Sequence, residues 1–115
     1  MVMPSCHSEP SIHYWAGKYP GKLGWLIGPR DWARKKVRAW LPYALDNDAF
    51  TSWTSGRPFD VEAWRKHLKS AKRSGQRPLW VLVPDKVADR KGTLEYWDIY
   101  ADEAAQFGWD LAFAV

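Results

Sequence analysis

The chain is poor in cysteine: Cys6 is the only one in 115 residues. One thiol forms no internal disulfide, so packing and hydrogen bonds must hold the fold. A reducing, cytoplasmic setting is the expectation that follows. Long apolar runs are also missing. No window of about 18 consecutive apolar residues exists, which excludes a spanning helix and makes the membrane an unexpected partner. The opening segment MVMPSCHSEPSIHYW has no basic region followed by an apolar stretch, so it does not read as a secretory leader. There is no Walker loop, and glycines 17, 21, 24 and 28 do not form a phosphate-cradling pattern. Cys6, His7 and His13 have no fourth ligand at a matching spacing, so neither a metal nor a cofactor is expected. Internal repeats and low-complexity tracts are absent.

What is present is unusual in kind. Hydrophobic residues make up 46% of the chain, enough for the core of one domain. Nine Trp, with five Tyr and four Phe, bring the aromatic share to 16%. Such rings bury large areas each, so a small core can be built from few of them. The net charge of +4 is unevenly spread: 14 Lys and Arg face 5 Asp and Glu from Lys18 to Arg77, and 3 face 7 from Pro78 onward. A basic stretch interleaved with Trp can meet phosphate and stack bases. It can equally be the solvated face of ordinary helices.

Residues 1–22 are rich in Pro, Ser, Gly and His and read as an N-terminal arm with turns, YPGK being the clearest. Four short apolar runs follow: Leu23–Gly28, Leu41–Asp46, Pro78–Asp85 and Leu111–Val115. Each reads as a strand, and the continuous run PLWVLVPD implies cover on both faces. Between the first two, Asp31 can cap a short helix with Trp32, Val37 and Trp40 inward. The second run leads into NDAF and the turn-rich TSWTSGRP. The best helix runs from Asp60 to Ser74, with Asp60 as N-cap, Val61, Trp64, Leu68 and Ala71 on one face, and Gly75 as terminator. A second long helix starts at a Thr93 cap and turns Leu94, Trp97, Ala101 and Ala104 inward. Alternation of this kind predicts an α/β domain over 23–115 with about four mainly parallel strands alternating with helices.

In parallel α/β folds, active groups collect at the carboxyl ends of strands. Two strands end in aspartate here, Asp46 and Asp85, and the fold should bring them close. Paired carboxylates can divide acid–base work, or one can accept from the N–H groups of a base edge. Aspartates at such places also simply start turns. Lys86, Arg90 and Lys91 could hold phosphate or balance the acidic helix after them. Trp64, Trp80 and Trp97 read as core and Trp25 as ambiguous. Trp53, in a polar loop, is the candidate for an exposed stacking or partner-binding ring. Arg65, Lys66, Lys69, Lys72 and Arg73 form the candidate basic interaction surface, and His67 reads as a solvated histidine on that helix.

The segments LGWLIGPR, LPYALDNDAF, PLWVLVPDKVADRKGTLEYW and GWDLAFAV, in this order, resemble the first half of the queuine tRNA-guanine transglycosylase-like superfamily. The likeness is closest to the phage and bacterial branch associated with 7-deazapurine insertion into DNA, with its ADNGAF, VAPDVVGDAxxTL and AFVAQDG segments. It covers about residues 23–115. It implies a TIM barrel, here about half of one, and the exchange of guanine for a deazapurine through a covalent enzyme–nucleic acid intermediate. LDNDAF resembles the family's DSGGFQ turn, which makes Asp46 the acid–base residue. Asn47 and Phe50 match further turn positions, with the Phe50 ring beside the bound base, and VPD maps the purine-recognising aspartate to Asp85. Asp48 departs from the pattern, standing where the family has a small residue. The family's Q-x-G strand end, nucleophilic aspartate and zinc-binding cysteines do not occur.

Without a nucleophile the isolated chain is not expected to complete the covalent step. The favoured expectation is a small binding protein of phage or mobile-element type, built on a transglycosylase-like fold. It would act on a host nucleoprotein complex or nucleic acid, in the style of an anti-CRISPR inhibitor. The alternative is a fragment or split half of a deazapurine or guanine transglycosylase that modifies DNA or tRNA bases. Unpaired strands of a half-barrel invite partners, so a homo-oligomer through exposed sheet edges is also expected.

Overall fold

A computed structural model describes residues 1–5, 8–33 and 38–114. In chain order the elements are α1 (Glu9–Lys18), β1 (Trp25–Ile27), β2 (Tyr43–Leu45), α2 (Ala49–Thr54), α3 (Val61–Ser74), β3 (Val81–Leu82), α4 (Arg90–Ala105) and β4 (Leu111–Ala112). The four strands form one sheet in the order β1-β2-β3-β4, and all three pairings are parallel. The fold is therefore α/β, as the alternation of runs predicts. A sheet that adds each strand beside the last is laid down like the arc of a (β/α) barrel. A doubly wound sheet reverses its strand order part-way.

The strands fall where the apolar runs place them. Tyr43, Ala44 and Leu45 are all buried, as a strand covered on both faces requires. Pairing around β3 extends beyond its two central residues. Leu79 N–H donates to the Tyr43 carbonyl and Val83 N–H to the Ala112 carbonyl, so this segment is bonded on both sides.

Helix α3 follows from its sequence in detail. The Asp60 carboxylate accepts from Ala63 N–H at 3.0 Å, and Gly75 ends the helix at φ 74°, a left-handed conformation that glycine takes without a Cβ penalty. Trp64, Leu68 and Ala71 are completely buried. Removing Trp64 and Leu68 from water contributes on the order of 2–3 kcal/mol each. Helix α4 begins earlier than predicted. Its cap is Asp89, whose carboxylate accepts from Gly92 N–H at 2.8 Å. Thr93 lies one turn inside, where its hydroxyl accepts from Lys86 N–H and reaches the Lys86 and Asp89 carbonyls. Leu94 consequently faces out, 47% exposed, while Trp97, Ala101 and Ala104 pack inward as expected.

The N-terminal segment is more than an arm. Val2 N–H donates to the Lys22 carbonyl, Gly24 N–H to the Val2 carbonyl and Leu26 N–H to the Pro4 carbonyl, so residues 2–4 run parallel along the outer edge of β1. Helix α1 carries the chain back and places Ile12 in the core. Pro and Ser near its start hid this helix, yet Pro is well tolerated in the first turn.

The helix expected after Asp31 falls partly on residues 34–37, Val37 included, which lie outside the described residues. Trp32 is half-buried against Tyr43 and His67, whereas Trp40 is 60% exposed and does not turn inward. The first residues of the segment TSWTSGRP, expected as turn-rich, belong to the short helix α2. No described helix is long and apolar enough to cross a membrane.

Candidate functional site

The carboxyl end of the sheet gathers Asp46, Asn47 and Asp48 after β2 and Asp85 after β3. Asn47 is the hub. Its Nδ2 donates to the Val83 carbonyl at 3.1 Å and to Asp85 Oδ1 at 2.8 Å, and its Oδ1 accepts from Ala49 N–H at 2.8 Å. Asn47 is only 3% exposed, so these bonds replace water and cost a great deal to lose. Its amide is thus committed to joining β2 to β3 and to starting α2. A bound base would find this side chain already engaged.

Asp48 does the corresponding work toward β1. It sits at φ 59°, a conformation that Asp tolerates better than most residues. Its Oδ2 accepts from Arg30 N–H at 2.9 Å. The carboxylate lies so close over Gly28 that a Cβ there would fall 2.0 Å from Oδ1. Asp48 is therefore a clamp between the ends of β1 and β2.

Asp46 is half-buried, and its Oδ1 accepts from Asn47 N–H at 2.8 Å. Burial raises its carboxyl above the usual value, and the neighbouring Asp48 and Asp85 carboxylates push the same way. A carboxyl with a raised pKa beside a second carboxylate is the arrangement that acid–base chemistry uses.

Asp85 opens into a groove of about 690 Å³ lined also by Phe50, Lys86, Arg90, Leu94 and Phe113. Phe50 and Trp53 project from α2, 65% and 55% exposed, with ring centroids 5.9 Å apart. Asp46 and Asn47 do not line this groove. Of the residues expected to hold a base, it brings together Phe50 and Asp85, with Trp53 touching Phe50. Phe113 was not anticipated; its place just after β4 was the available signal. A second cavity of about 470 Å³ lies toward β1, lined by Arg30, Asp48 and Arg57 together with the first turn of α3.

The basic residues of α3 are in unequal states. Arg65 is spent on Glu103 of α4, at 2.6 Å, and on Glu62. Lys72 donates to the Phe107 carbonyl at 3.2 Å and lies over the Trp109 ring. Arg73 reaches Ser70 Oγ at 3.2 Å. Lys66 and Lys69 are exposed. Since α3 runs from the carboxyl end of the sheet toward the start of β4, Lys72 and Arg73 sit at the end remote from Asp85.

His67 is not the solvated residue its neighbours in sequence imply. It is 3% exposed, and Nε2 lies 2.9 Å from the Ile27 carbonyl, which fixes it as the protonated nitrogen of a neutral ring. Burial pushes its pKa down to about 4. Its spacing from Trp64 and Ala71 puts it on their buried face, a signal the charges around it obscured.

No family model, curated protein or solved structure matches the chain. The functional reading rests on the geometry. Among the described residues, no group of three or more His, Cys, Asp or Glu is arranged to hold a metal ion, and Cys6 and His7 lie outside that set.

Proposed function

We propose that the chain is a binding protein for single-stranded nucleic acid, or for the exposed strand of a host nucleoprotein, and that the groove beside Asp85 receives a base. One observation carries this reading: two carboxylates, Asp85 and Asp89, a flat exposed ring and two cationic side chains line the same groove. Asp85 supplies an acceptor for the N–H groups of a purine edge. Phe50 supplies a stacking wall, and its neighbour Trp53 extends the aromatic surface. Arg90 supplies charge for the flanking phosphates, and Lys86, paired with Asp89 at 3.5 Å, is exposed enough to turn to them. The volume falls in the range of small-ligand sites. A transglycosylase-like ancestry, and an inhibitory role against a host complex in the anti-CRISPR style, fit a groove that binds without a nucleophile.

A second reading is favoured by Asp46. Its raised carboxyl next to Asp85 suits the acid–base step of a base exchange, with another polypeptide supplying the nucleophile. The two readings separate in one set of measurements. Fluorescence and calorimetric titrations with short single-stranded DNA and RNA, and with guanine and a 7-deazaguanine, should show saturable binding. Phe50→Ala and Asp85→Asn should each weaken it at least tenfold, with Asp46→Asn leaving it unchanged. Labelled guanine entering polynucleotide in a reconstituted mixture, lost with Asp46→Asn, would instead establish the enzymatic reading. Binding that survives both Phe50→Ala and Asp85→Asn would overturn the proposal.

A further inference from the structure

The two ends of the sheet carry unlike surfaces that stay largely exposed among the described residues. At one end, α1 is built inside out. Ile12 and Ala16 face the core, and the larger apolar side chains face solvent: Tyr14 is 61% exposed, Trp15 44% and Tyr19 47%. The Trp15 and Tyr19 rings are nearly parallel, 7° apart in plane with centroids 6.0 Å apart. Lys18 Nζ lies 5.5 Å from the Trp15 centroid and 6.0 Å from that of Tyr19. Three exposed rings with a cation among them are the composition of an interface anchor.

The other end is net acidic, with Glu95, Asp98 and Asp102 against Lys91. No described residue pairs with the outer edge of β4. Tyr96, Tyr100 and Glu103 of α4 face α3, through Phe59, Trp64 and Arg65. Helical spacing then puts Leu94, Asp98 and Asp102 on the opposite flank, toward the open strand. Ile99 is 61% exposed and Phe113 is 41% exposed. Asp98, Asp102 and Glu95 are exposed too.

We infer that these ends meet in a second copy of this chain, the α1 end of one copy docking on the α4–β4 end of the other. The charges are complementary, Lys18 and Lys22 against Glu95, Asp98 and Asp102, and each end offers apolar anchors to the other. One two-fold operator satisfies both ends of both copies at once, which is how an arc closes into a ring. A nucleic acid would explain the α1 end alone, because the acidic end repels phosphate. Residues 2–4 already cover the β1 edge, so side chains make the contact at that end.

The docking end and the base groove share Leu94 and Phe113, so the test uses residues outside the groove. Sedimentation velocity on the full chain should show twice the mass of the 13.3 kDa monomer at about 100 μM, above the range of common micromolar contacts. Trp15→Ala, Lys18→Glu and the pair Asp98→Lys with Asp102→Lys should each weaken association at least tenfold, with cooperative thermal unfolding retained. Mixing the Lys18→Glu chain with the doubly reversed chain should restore a dimer through the swapped charges. A monomeric mass throughout would overturn the inference, as would association indifferent to both faces. So would a monomeric chain that loses oligonucleotide binding on Trp15→Ala, which would make α1 a nucleic-acid surface.

Discussion

His67 shows how much one side chain can set. Folding removes its imidazole from water and holds it neutral against the Ile27 carbonyl, with a pKa near 4 in place of 6.5. The unfolded chain therefore takes up the proton first as pH falls. This contribution to stability is complete above pH 6.5 and is lost as the pH falls toward 4, by roughly 3 kcal/mol in all. Denaturant titrations at pH 7, 5.5 and 4 should show that loss in the wild type and a flatter profile in His67→Gln. Asp46 has the opposite sign. Its folded pKa is raised, so its favourable contribution is complete below the ordinary value of 3.8 and is lost as pH rises through the folded value. Asp46→Asn should accordingly melt higher than the wild type at pH 7 and match it below pH 3.8. Equal melting temperatures at pH 7 would show that the site does not strain its carboxylate.

At the scale of elements, α3 ties the molecule together. It buries Trp64, Leu68 and Ala71 against the sheet, bonds to β1 through His67 and grips α4 through Arg65. Its N-cap is separable from the rest, because Asp60 is exposed and its capping bond is local. Asp60→Ala should cost about 1 kcal/mol in equilibrium unfolding without altering ligand binding. Much of this helix was legible in advance, since cap, apolar stripe and terminating glycine all lie within 16 residues of one another. Helix α4 was legible in kind and wrong in start. Asp89 and Thr93 are both good caps, and only the tertiary bonds of the Thr93 hydroxyl to the Lys86 backbone show which one is inside.

For the whole molecule, charge is segregated along the chain but partly consumed in folding. Arg65 and Lys72 belong to internal contacts and Lys86 is paired with Asp89 at 3.5 Å, whereas Lys66, Lys69 and Arg90 are among the exposed cations. Binding to single strands should weaken with salt, with a slope of about 0.7 per phosphate engaged. Lys86→Gln together with Arg90→Gln should flatten that slope, while Lys66→Gln with Lys69→Gln should leave it unchanged. The reverse pattern in a salt series would move the interface to α3.

The division between what local pattern settles and what it leaves open has a physical basis. Strand positions follow from continuous apolar runs bounded by turn residues, and the parallel architecture follows from their alternation with helices. Asp46 and Asp85 could be nominated because strand ends converge in such folds. The partners of individual polar groups could not. Asn47 meets Asp85, and Arg65 meets Glu103, each across 38 positions. No periodicity of 2 or 3.6 residues encodes a contact of that range. Whether an aspartate accepts from a side chain, as Asp85 does from Asn47, or clamps a backbone, as Asp48 does at Arg30, depends on which groups the fold brings to it. The solvent face of α1 and the open side of β4 were settled in the same way, by which neighbours the folded chain had left to cover them.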